Sequence, residues 1–403
     1  MRARSPHLIC LARLPWSDQW KRHQSMVHHL AQQPGVGRVV FVNPSVRLSD
    51  LMSRRLTRSR RSFGERWIRV VPKAVSGPVI VWSPLRLLPL SRTVGLITRI
   101  ESWLMYQVIR LLNRFEPYDL LILGVNLRDQ DLQRRLRARA RRLLFDWSDD
   151  FTEFSQRPEK RGQFQKVTDE LIKSADLILA VNEHLAVRAQ AAGNPRVRVV
   201  TLPNSTSLSP KNGEECLAER LRVRLGLRRP MIGYAGTITG LRMDLDLIRD
   251  VAKARPEWTL VFVGPNMLRV GEFPVRENIV LLPAVPHHEL MDYLQMFDVC
   301  ILPHTVNAHT NGNDPIKLYD YLMAGKPVVS TPVAGVERFK GLVEVADSSD
   351  EFVRGIEKCL APSQAALREM RIAAARENSW PERISHLVHA LELDAAPYTG
   401  KQS

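Results

Sequence analysis

Short apolar runs bounded by turn residues alternate with helical stretches along the chain, and this alternation limits the possible folds more than any other feature. In the first half, the runs lie at 7–13, 38–44, 66–72, 119–124, 141–147, 176–181 and 198–204. In the second half, they lie at 230–236, 258–264, 278–285, 298–304, 327–332 and 342–347. Such runs are typical of parallel strands that helices cover on both faces. The sequence therefore predicts an α/β fold.

A polar, turn-rich stretch at 204–230 separates the two series. At 403 residues, the chain is also too long for one ordinary core. We therefore predict two Rossmann-like, doubly wound domains with a cleft between them. Their predicted bounds are 1–204 for the N-terminal domain, 205–229 for a linker, 230–376 for the C-terminal domain and 377–403 for a final helix with a tail. Ligands of such sheets bind beyond the carboxyl ends of the strands.

The net charge of +16 lies entirely in the first 150 residues, which contain 27 Lys and Arg against 11 Asp and Glu. The remaining residues contain 31 of each kind. Such a field favours nucleic acid, an anionic lipid surface or an acidic substrate. The alternative is a solvated basic face without a partner.

The four cysteines (Cys10, Cys216, Cys300 and Cys359) form no C-x-x-C pair. A disulfide framework or a zinc site is therefore not expected, and a reducing cytoplasm fits. The apolar part of the N-terminus is too short for a signal peptide. No run of about 18 uncharged apolar residues predicts a membrane span.

The segment most informative about function is 311–332, NGNDPIKLYDYLMAGKPVVSTP, in which a polar loop runs into a helix. Asp314 is predicted to cap that helix. Helix N-termini attract phosphate through free N–H groups and the macrodipole, and Lys317 and Asp320 share one face. A ligand that combines an anion with hydroxyl groups, such as a sugar nucleotide, would suit this site, which also includes Asn313.

Each of these residues also has a structural alternative. Lys317 works against the macrodipole, which costs little if the side chain is solvated, whereas a bound diphosphate would turn the cost into a gain. For Asp320, the structural alternative to a ligand contact is an i, i+3 salt bridge with Lys317. The glycines of GYAGTITG (233–240) would let backbone approach a phosphate. Arg242, just beyond, is either a diphosphate ligand or a solvated loop residue.

The whole chain resembles the GT-B glycosyltransferases, especially the glycosyltransferase 4-like group of bacterial exopolysaccharide and cell-wall polysaccharide enzymes. NDPIKLYDYLMAGKPVVSTP is similar to that group's signature, NP-x-K-x-x-E-Y-x-A-x-G-K-P-V-V. DVCILPH, FVGPN, and SADLILAVNEHL followed by LPN are also similar. The resemblance implies the GT-B fold, with the acceptor in the first domain and the NDP-sugar in the second. It also implies that the last helix, which begins at ENSWPERI (377–384), crosses back to the first domain.

By this resemblance, Asp320 stands where the group usually has Glu, the residue that binds the nucleotide ribose. Gly236 and Thr237 stand where backbone meets the diphosphate, and Lys317 matches a Lys that contacts the donor's phosphates or sugar. The turn at Val285 would lie against the nucleobase.

Two departures from the family pattern concern the donor sugar. Many retaining members have a Glu eight residues before the ribose-binding residue, where this chain has Gly312. The Arg and Lys usual after the first strand of this domain are not in their usual pattern, which leaves Arg242 as a candidate. The outcome of the reaction, retaining or inverting, is therefore open.

In the first domain, FDWSDDF (145–151) ends a strand with the carboxylates of Asp146, Asp149 and Asp150, which we expect to point towards the cleft. One of them could take the proton from an acceptor hydroxyl as a general base. The alternative is capping of the next helix. The segment resembles the corresponding strand end of the membrane-associated glucuronosyltransferase of xanthan assembly, an inverting GT-B enzyme whose catalytic Asp matches Asp149.

Aromatic and basic residues follow the first strand. Trp16 and Trp20 would either stack on a sugar or form the buried start of a helix, and Arg22 could hold a phosphate. His304 and His309 could face the donor sugar. No pair of histidines has metal-ligand spacing, so no bound metal is predicted.

The basic segment 54–70 and the helical stretch 84–112 place Trp67, Trp103 and Tyr106 among Arg and Leu. Cationic amphipathic surfaces with interfacial aromatic residues bind anionic lipid headgroups. The alternative is a packed helix with an exposed basic rim. We predict a cytoplasmic protein, peripheral on the inner face of the cell membrane.

Together, these features predict a metal-independent hexosyltransferase without a separate cofactor. It would transfer a sugar from an NDP-sugar to a hydroxyl of a lipid-linked or polysaccharide acceptor in bacterial surface polysaccharide synthesis. One alternative is a sugar-nucleotide 2-epimerase of the same fold, and another is a non-catalytic basic scaffold or nucleic-acid-binding protein. No nucleic-acid partner is predicted, because the chain lacks the aromatic strand motifs and zinc spacings of common nucleic-acid modules.

Overall fold

The computed structural model describes residues 6–17, 20–34, 36–47, 68–71, 79–86, 95–154, 157–192, 197–210 and 215–392. The chain divides into two compact units. Unit 1 comprises 1–202 and 383–403, and unit 2 comprises 203–382. Each unit contains its own sheet and helices, so the predicted α/β fold is confirmed.

Within the described residues, the strands of unit 1 are β1 (Leu8–Leu11), β2 (Val39–Val42), β3 (Val46–Arg47), β4 (Ile68–Val71), β5 (Val79–Trp82), β6 (Leu85–Arg86), β7 (Leu120–Leu123), β8 (Arg142–Trp147), β9 (Leu177–Ala180) and β10 (Arg198–Thr201). Eight of them form one sheet in the order β10-β9-β8-β7-β1-β2-β5-β4, and β3 pairs with β6. The central strands β1, β2 and β7 are buried along their whole length. This burial explains why they read as continuous apolar runs.

The helices described between these strands are α1 (Arg22–Gln32), α2 (Gly95–Leu112), α3 (Gln130–Arg137), α4 (Phe151–Phe154), α5 (Pro158–Ser174) and α6 (Glu183–Ala191). Local sequence signals start two of them. Pro158 occupies the first turn of α5, where its missing N–H costs nothing. The Asn182 side chain caps α6 by accepting the Leu185 N–H at 3.0 Å.

In the described part of unit 2, the strands are β11 (Met231–Ala235), β12 (Thr259–Val263), β13 (Ile279–Leu282), β14 (Val299–Leu302), β15 (Val328–Ser330) and β16 (Val343–Val345). They form a parallel sheet in the order β13-β12-β11-β14-β15-β16. Its helices are α7 (Glu215–Arg224), α8 (Leu245–Ala254), α9 (Leu290–Met296), α10 (Ala308–Asn311), α11 (Ile316–Met323), α12 (Ser349–Leu360), α13 (Arg368–Glu377) and α14 (Trp380–Glu392). From 383 onwards, α14 groups with unit 1.

The strand order of unit 2 locates its ligand-binding edge. The chain runs outwards from β11 through β12 to β13, and then returns to place β14 on the other side of β11. The loops after β11 and β14 therefore meet at a topological switch point, where open α/β sheets bind their ligands. Backbone hydrogen bonds join these loops, from Asp244 N to Pro303 O and from Thr305 N to Arg242 O, both at 2.9 Å.

Two details of the predicted topology differ from the structure. The run at 66–72 was expected to be a buried parallel strand, but β4 is antiparallel to β5 and exposes Ile68 and Val70 at the sheet edge. β5 itself was not predicted, because its apolar run merges in sequence with the stretch before α2. The charged second part of the predicted linker, expected to be helical, contains α7. Among the described residues, no helix is long and apolar enough to cross a membrane.

Candidate functional site

The turn after β11 is built from backbone packed on backbone. Gly236 has φ +150° and Gly264, in the turn after β12, has φ +144°. The Gly236 N–H donates to Val263 O at 2.8 Å. A Cβ added to Gly264 would lie 2.2 Å from Gly236 O. Only glycine fits this contact, so the floor of the switch point is made of main chain alone.

Lys317 lies directly over this floor. It is the second residue of α11, and its Cε would lie 1.8 Å from a Cβ added to Gly236. Its Nζ lies 5.3 Å from the ring centroid of the buried Tyr234, whose hydroxyl donates to Thr237 O at 3.0 Å. Burial raises the pKa of the Tyr234 hydroxyl, so this ring stays neutral. An ammonium group above a glycine turn and at a helix N-terminus is suited to a phosphate ligand.

Arg242 and two histidines, His304 and His309, also belong to this site. Arg242 Nε donates to His309 Nε2 at 3.1 Å. His304 follows β14 and is buried, and its Nε2 has no hydrogen-bond partner within the part of the chain that the structure describes. Burial lowers the pKa of His304 well below its usual value, and the charges of Lys317 and Arg242 lower it further. His304 is therefore neutral at physiological pH, and the local field favours an anion.

Asp314 was expected to cap α11, and this prediction is wrong. The residue at the cap position is Pro315, and no side chain caps the helix. The Asp314 carboxylate, fully buried, accepts the Asn204 N–H at 2.6 Å and the Tyr319 hydroxyl at 2.9 Å and pairs with Arg338. Asp314 therefore connects the loop before α11 to Asn204, Tyr319 and Arg338. Its role as a ligand of the nucleotide stays a prediction.

Asp320 lies one turn after Lys317 and is buried. Its Oδ1 accepts the hydroxyl of Thr206 at 2.7 Å. Asn313, half-buried in the loop before α11, accepts the Asp314 N–H through its side chain at 2.6 Å. The residues predicted from this segment therefore stand together at the start and on one face of α11.

Two further predicted residues stand at the same sheet edge. Thr237 is half-buried in the turn next to Gly236, and its carbonyl holds the Tyr234 hydroxyl. Val285 follows β13, the outermost strand on this side, and packs against the core of unit 2. The contact of Lys317 with Gly236 joins two of the predicted residues directly, whereas Val285 stands two strands away from β11.

Two of the three carboxylates at the end of β8 are buried in ion pairs, whereas all three were expected to point towards the cleft. Asp146 accepts hydrogen bonds from Arg22 at 2.8, 2.9 and 3.0 Å, and its Oδ2 lies 3.0 Å from His23 Nε2. Burial raises the pKa of Asp146, but Arg22 and His23 together lower it to about 2. Asp150 pairs with Arg188.

Asp149, between these two, is half-buried in the turn before α4, and its carbonyl accepts the Phe151 N–H at 3.1 Å. Asp149 has as its neighbours two carboxylates, Asp146 and Asp150, that form ion pairs with arginines. Its predicted role is not tested by the geometry.

The aromatic residues after β1 follow the structural alternative. Trp16 is buried with its ring edge-on to Phe41, at a centroid distance of 4.9 Å. The ring of Trp20 packs on His28 at the same distance. Arg22, which the sequence offered as a phosphate ligand, is instead buried in an ion pair with Asp146.

Sequence reasoning missed Thr206 and Arg338, the partners of the two acidic residues of the α11 segment. Thr206 lies in a polar run that indicated only a linker, and Arg338 lies in a short 3₁₀ turn. Neither carries a local signal, since their partners are distant in sequence. Among the described residues, no group of three His, Cys, Asp or Glu side chains could hold a metal ion.

Comparisons with known proteins agree with this geometry. Residues 229–362 match the family model of glycosyl transferases group 1. The chain is similar to two proteins of Bacillus subtilis (strain 168) that are named as teichuronic acid biosynthesis glycosyltransferases. TuaH is 26% identical over 224 residues, covering 52% of this chain and 55% of the relative. TuaC is 27% identical over 183 residues, covering 45% and 44%. The chain therefore spans about half the length of the curated relatives it matches.

Among solved structures, the chain is similar to HepE of Anabaena in complex with UDP and glucose, with a TM-score of 0.65 and 14% identity over 96% of this chain and all of that one. It is also similar to sucrose-phosphate synthase of Thermosynechococcus elongatus, with a TM-score of 0.67 and 12% identity over 97% of this chain and 100% of that one. The chain has the GT-B fold. The resemblance stated from the sequence is thus confirmed, and the likeness to the xanthan glucuronosyltransferase stays a prediction.

Proposed function

We propose that this GT-B protein transfers a sugar, of hexosyl type, from a nucleoside diphosphate sugar to a hydroxyl of a lipid-linked or polysaccharide acceptor. The proposal rests above all on Lys317, whose ammonium group lies over the Gly236 turn at the switch point of unit 2. The similar structures of HepE include one with UDP-glucose and one with UDP. The named roles of TuaH and TuaC support surface polysaccharide synthesis as the process.

In this proposal, the diphosphate lies against the Gly236 turn and the N-terminus of α11. Lys317 and Arg242 would neutralise the charge that grows on the leaving diphosphate, which is the role that lets the reaction proceed without a metal or a separate cofactor. Asp320 would hold the ribose, and Val285 would lie against the base. The acceptor would be bound by unit 1.

The proton of the acceptor hydroxyl has two possible destinations. If the reaction inverts the anomeric carbon, Asp149 takes that proton as the hydroxyl oxygen bonds to the sugar and the bond to the diphosphate breaks. If the reaction retains the configuration, no side chain need act as a base, and the leaving diphosphate accepts the proton.

The decisive assay is release of nucleoside diphosphate from a panel of NDP-sugars, with and without a lipid extract of bacterial membranes. Transfer requires that release rise with the extract and that labelled sugar appear in the lipid phase. Conversion of the NDP-sugar without any acceptor would favour the 2-epimerase instead. Salt-sensitive RNA binding without nucleotide-sugar binding would favour the basic scaffold.

The proposal also places the protein in the cytoplasm, at the inner face of the membrane, through a surface on α2 that we call the apolar stripe. Its members are Leu96, Ile100, Trp103, Leu104 and Leu111, all exposed. At 3.6 residues per turn they occupy one face of roughly 100°. The opposite face of α2, which includes Tyr106, is buried.

The charges around the stripe favour an anionic bilayer over a second copy of the chain. Arg99 and Arg110 flank the stripe, and Arg114 follows the helix. Glu101, the acidic residue of α2, is buried and accepts a hydrogen bond from Arg86 at 3.0 Å. The charged residues on the exposed side of α2 are therefore all cations. Their charge would repel a second copy of the chain and attract anionic headgroups.

Co-sedimentation with vesicles tests this surface. Wild type should bind vesicles that contain about a third phosphatidylglycerol and not pure phosphatidylcholine, and added salt should weaken binding. The double variant Trp103→Ser and Leu104→Ser should lose most of this binding, whereas Val275→Ser, an exposed apolar residue of unit 2, should keep it. Equal binding by both variants would argue against the stripe, and dimerisation in solution would point to a second copy.

A further inference from the structure

Three consecutive polar residues at the start of unit 2 are buried, although the sequence indicates only a linker there. Unit 2 begins at Pro203, and Asn204, Ser205 and Thr206 follow it with almost no exposed surface. Polar side chains are rarely buried without partners, because the lost hydration must be replaced. The Asn204 N–H and side-chain amide bind Asp314, and the Ser205 hydroxyl donates to Asn378 O. This segment is therefore a built part of unit 2.

Thr206 is the member of the segment that reaches the candidate donor site. Its hydroxyl donates to Asp320 Oδ1 at 2.7 Å and accepts the Leu208 N–H at 2.9 Å. Because the amide takes a lone pair of the hydroxyl oxygen, the hydroxyl proton is directed at the carboxylate. Both side chains are buried, so water competes little for this hydrogen bond.

Because the side chain of Asp320 is short, its hydrogen bond with Thr206 matters for where the carboxylate lies. Its side chain is one methylene, or about 1.5 Å, shorter than the Glu usual at this position in the family it resembles. A shorter carboxylate has less freedom to reach a ligand, so its placement depends on the neighbour that fixes its rotamer. Thr206 provides this neighbour from the segment where the chain enters unit 2.

We propose that Thr206 is a positioning residue that orients the Asp320 carboxylate for the ribose hydroxyls of the nucleotide. This inference rests on the proposed function, in which Asp320 holds the ribose. It predicts that the hydroxyl of Thr206 controls how well the site distinguishes a ribonucleotide from the same nucleotide without ribose hydroxyls.

Calorimetric titration of nucleoside diphosphates measures this distinction. UDP, GDP, ADP and CDP are first compared on wild type, and the tightest binder is then titrated beside its 2′,3′-dideoxy form. A hydrogen bond from a ribose hydroxyl to a carboxylate should favour the ribonucleotide by roughly tenfold to hundredfold. Thr206→Val, which keeps the shape and removes the hydroxyl, should bring this ratio close to one by weakening the ribonucleotide alone.

Two variants separate positioning from structural support. Thr206→Ser, which restores the hydroxyl, should recover most of the ratio. Thr206→Ala serves as the second variant without a hydroxyl if the valine form does not fold. Thr152→Val is the matched control, because Thr152 is also buried and its hydroxyl donates to a buried carboxylate, that of Asp150 in unit 1. The control should leave both dissociation constants unchanged.

Each other outcome has a definite meaning. If the hydroxyl-free variants weaken both nucleotides equally, the ratio is unchanged and Thr206 only supports the fold, which overturns the inference. If wild type binds a nucleotide without preferring ribose, the role given to Asp320 fails and the inference with it, while the donor site survives. If wild type binds no nucleoside diphosphate, the proposed function itself is overturned.

Discussion

Replacing Lys317 by Met should have opposite effects on the empty protein and on its complex with a nucleotide. Met keeps most of the apolar stem and removes the charge. In the empty protein, Lys317 stands in the first turn of α11, where a cation opposes the macrodipole by roughly 0.3–1 kcal/mol. Its cation–π contact with Tyr234 offsets this by about 0.5 kcal/mol. The free energy of unfolding of the empty variant should therefore stay within about 0.5 kcal/mol of wild type.

The complex should respond quite differently. Hydrogen bonds from a charged donor contribute roughly 1.5–3 kcal/mol, so loss of the ammonium should weaken diphosphate binding about 10- to 150-fold. At a ligand concentration of 100 times Kd, binding stabilises wild type by about 2.7 kcal/mol. A variant that binds about 30-fold more weakly would gain only about 0.9 kcal/mol at the same concentration. For a unit of this size, the rise in Tm should fall from roughly 5–11 °C to roughly 2–4 °C.

Thermal unfolding with and without the best NDP-sugar of a panel measures both effects. Lys340→Met, an exposed lysine of unit 2, is the matched control and should keep the full ligand-induced rise. The same rise in Lys317→Met as in wild type would remove Lys317 from the site. A large loss of stability in the empty variant would show that the lysine is a structural residue instead.

Three further predictions concern other parts of the molecule. Asp149→Asn should abolish transfer and leave the Kd of the NDP-sugar unchanged if the reaction inverts; full activity in that variant would refute its role as base. Since the pKa of Asp146 falls to about 2 from a usual value near 3.8, its pairing with Arg22 and His23 contributes about 2 kcal/mol above pH 4, which is lost as the pH falls towards 2. Acid denaturation of the double variant Asp146→Asn and Arg22→Met should show a shallower dependence on pH in this window, and an identical slope would contradict the assignment. Arg338→Met should lower the free energy of unfolding of unit 2, measured by urea denaturation, by about 3–5 kcal/mol, because it removes the cation beside the buried Asp314 carboxylate. Arg249→Met, which removes an exposed ion pair, should lower it by less than about 1 kcal/mol.

The parts of the site that sequence could predict are those set by local chain geometry. A glycine after a buried strand and a lysine at the start of a helix both carry their meaning within a few residues. Their direct contact, however, depends on how β11 and α11 pack, and Gly236 and Lys317 are far apart in sequence. Only the resemblance to the family motif predicted that these two residues lie in one site, because a family motif includes residues that are close in the folded chain although distant in sequence.

Burial of polar residues was the part that sequence could not predict. Asp146, Asp149 and Asp150 are chemically alike and adjacent, and only the positions of Arg22 and Arg188 in the folded chain decide which carboxylates are neutralised. Polar runs indicate loops on average. That average misled at Thr206, whose partner lies 114 residues further along the chain. The same limit applies at β4, where an apolar run indicates a strand without saying that it lies at an edge.

The main-chain contact between Gly236 and Gly264 restricts how a site of this kind can change its preference for a donor. A Cβ at either position would clash with its neighbours, so the surface that we propose for the pyrophosphate cannot be diversified by substitution. New selectivity must come from the residues around this surface, which are those of the loop after β14 and of the half-buried first turn of α11. Mutant libraries aimed at altered sugar or base preference should therefore leave both glycines fixed and vary residues 304–317.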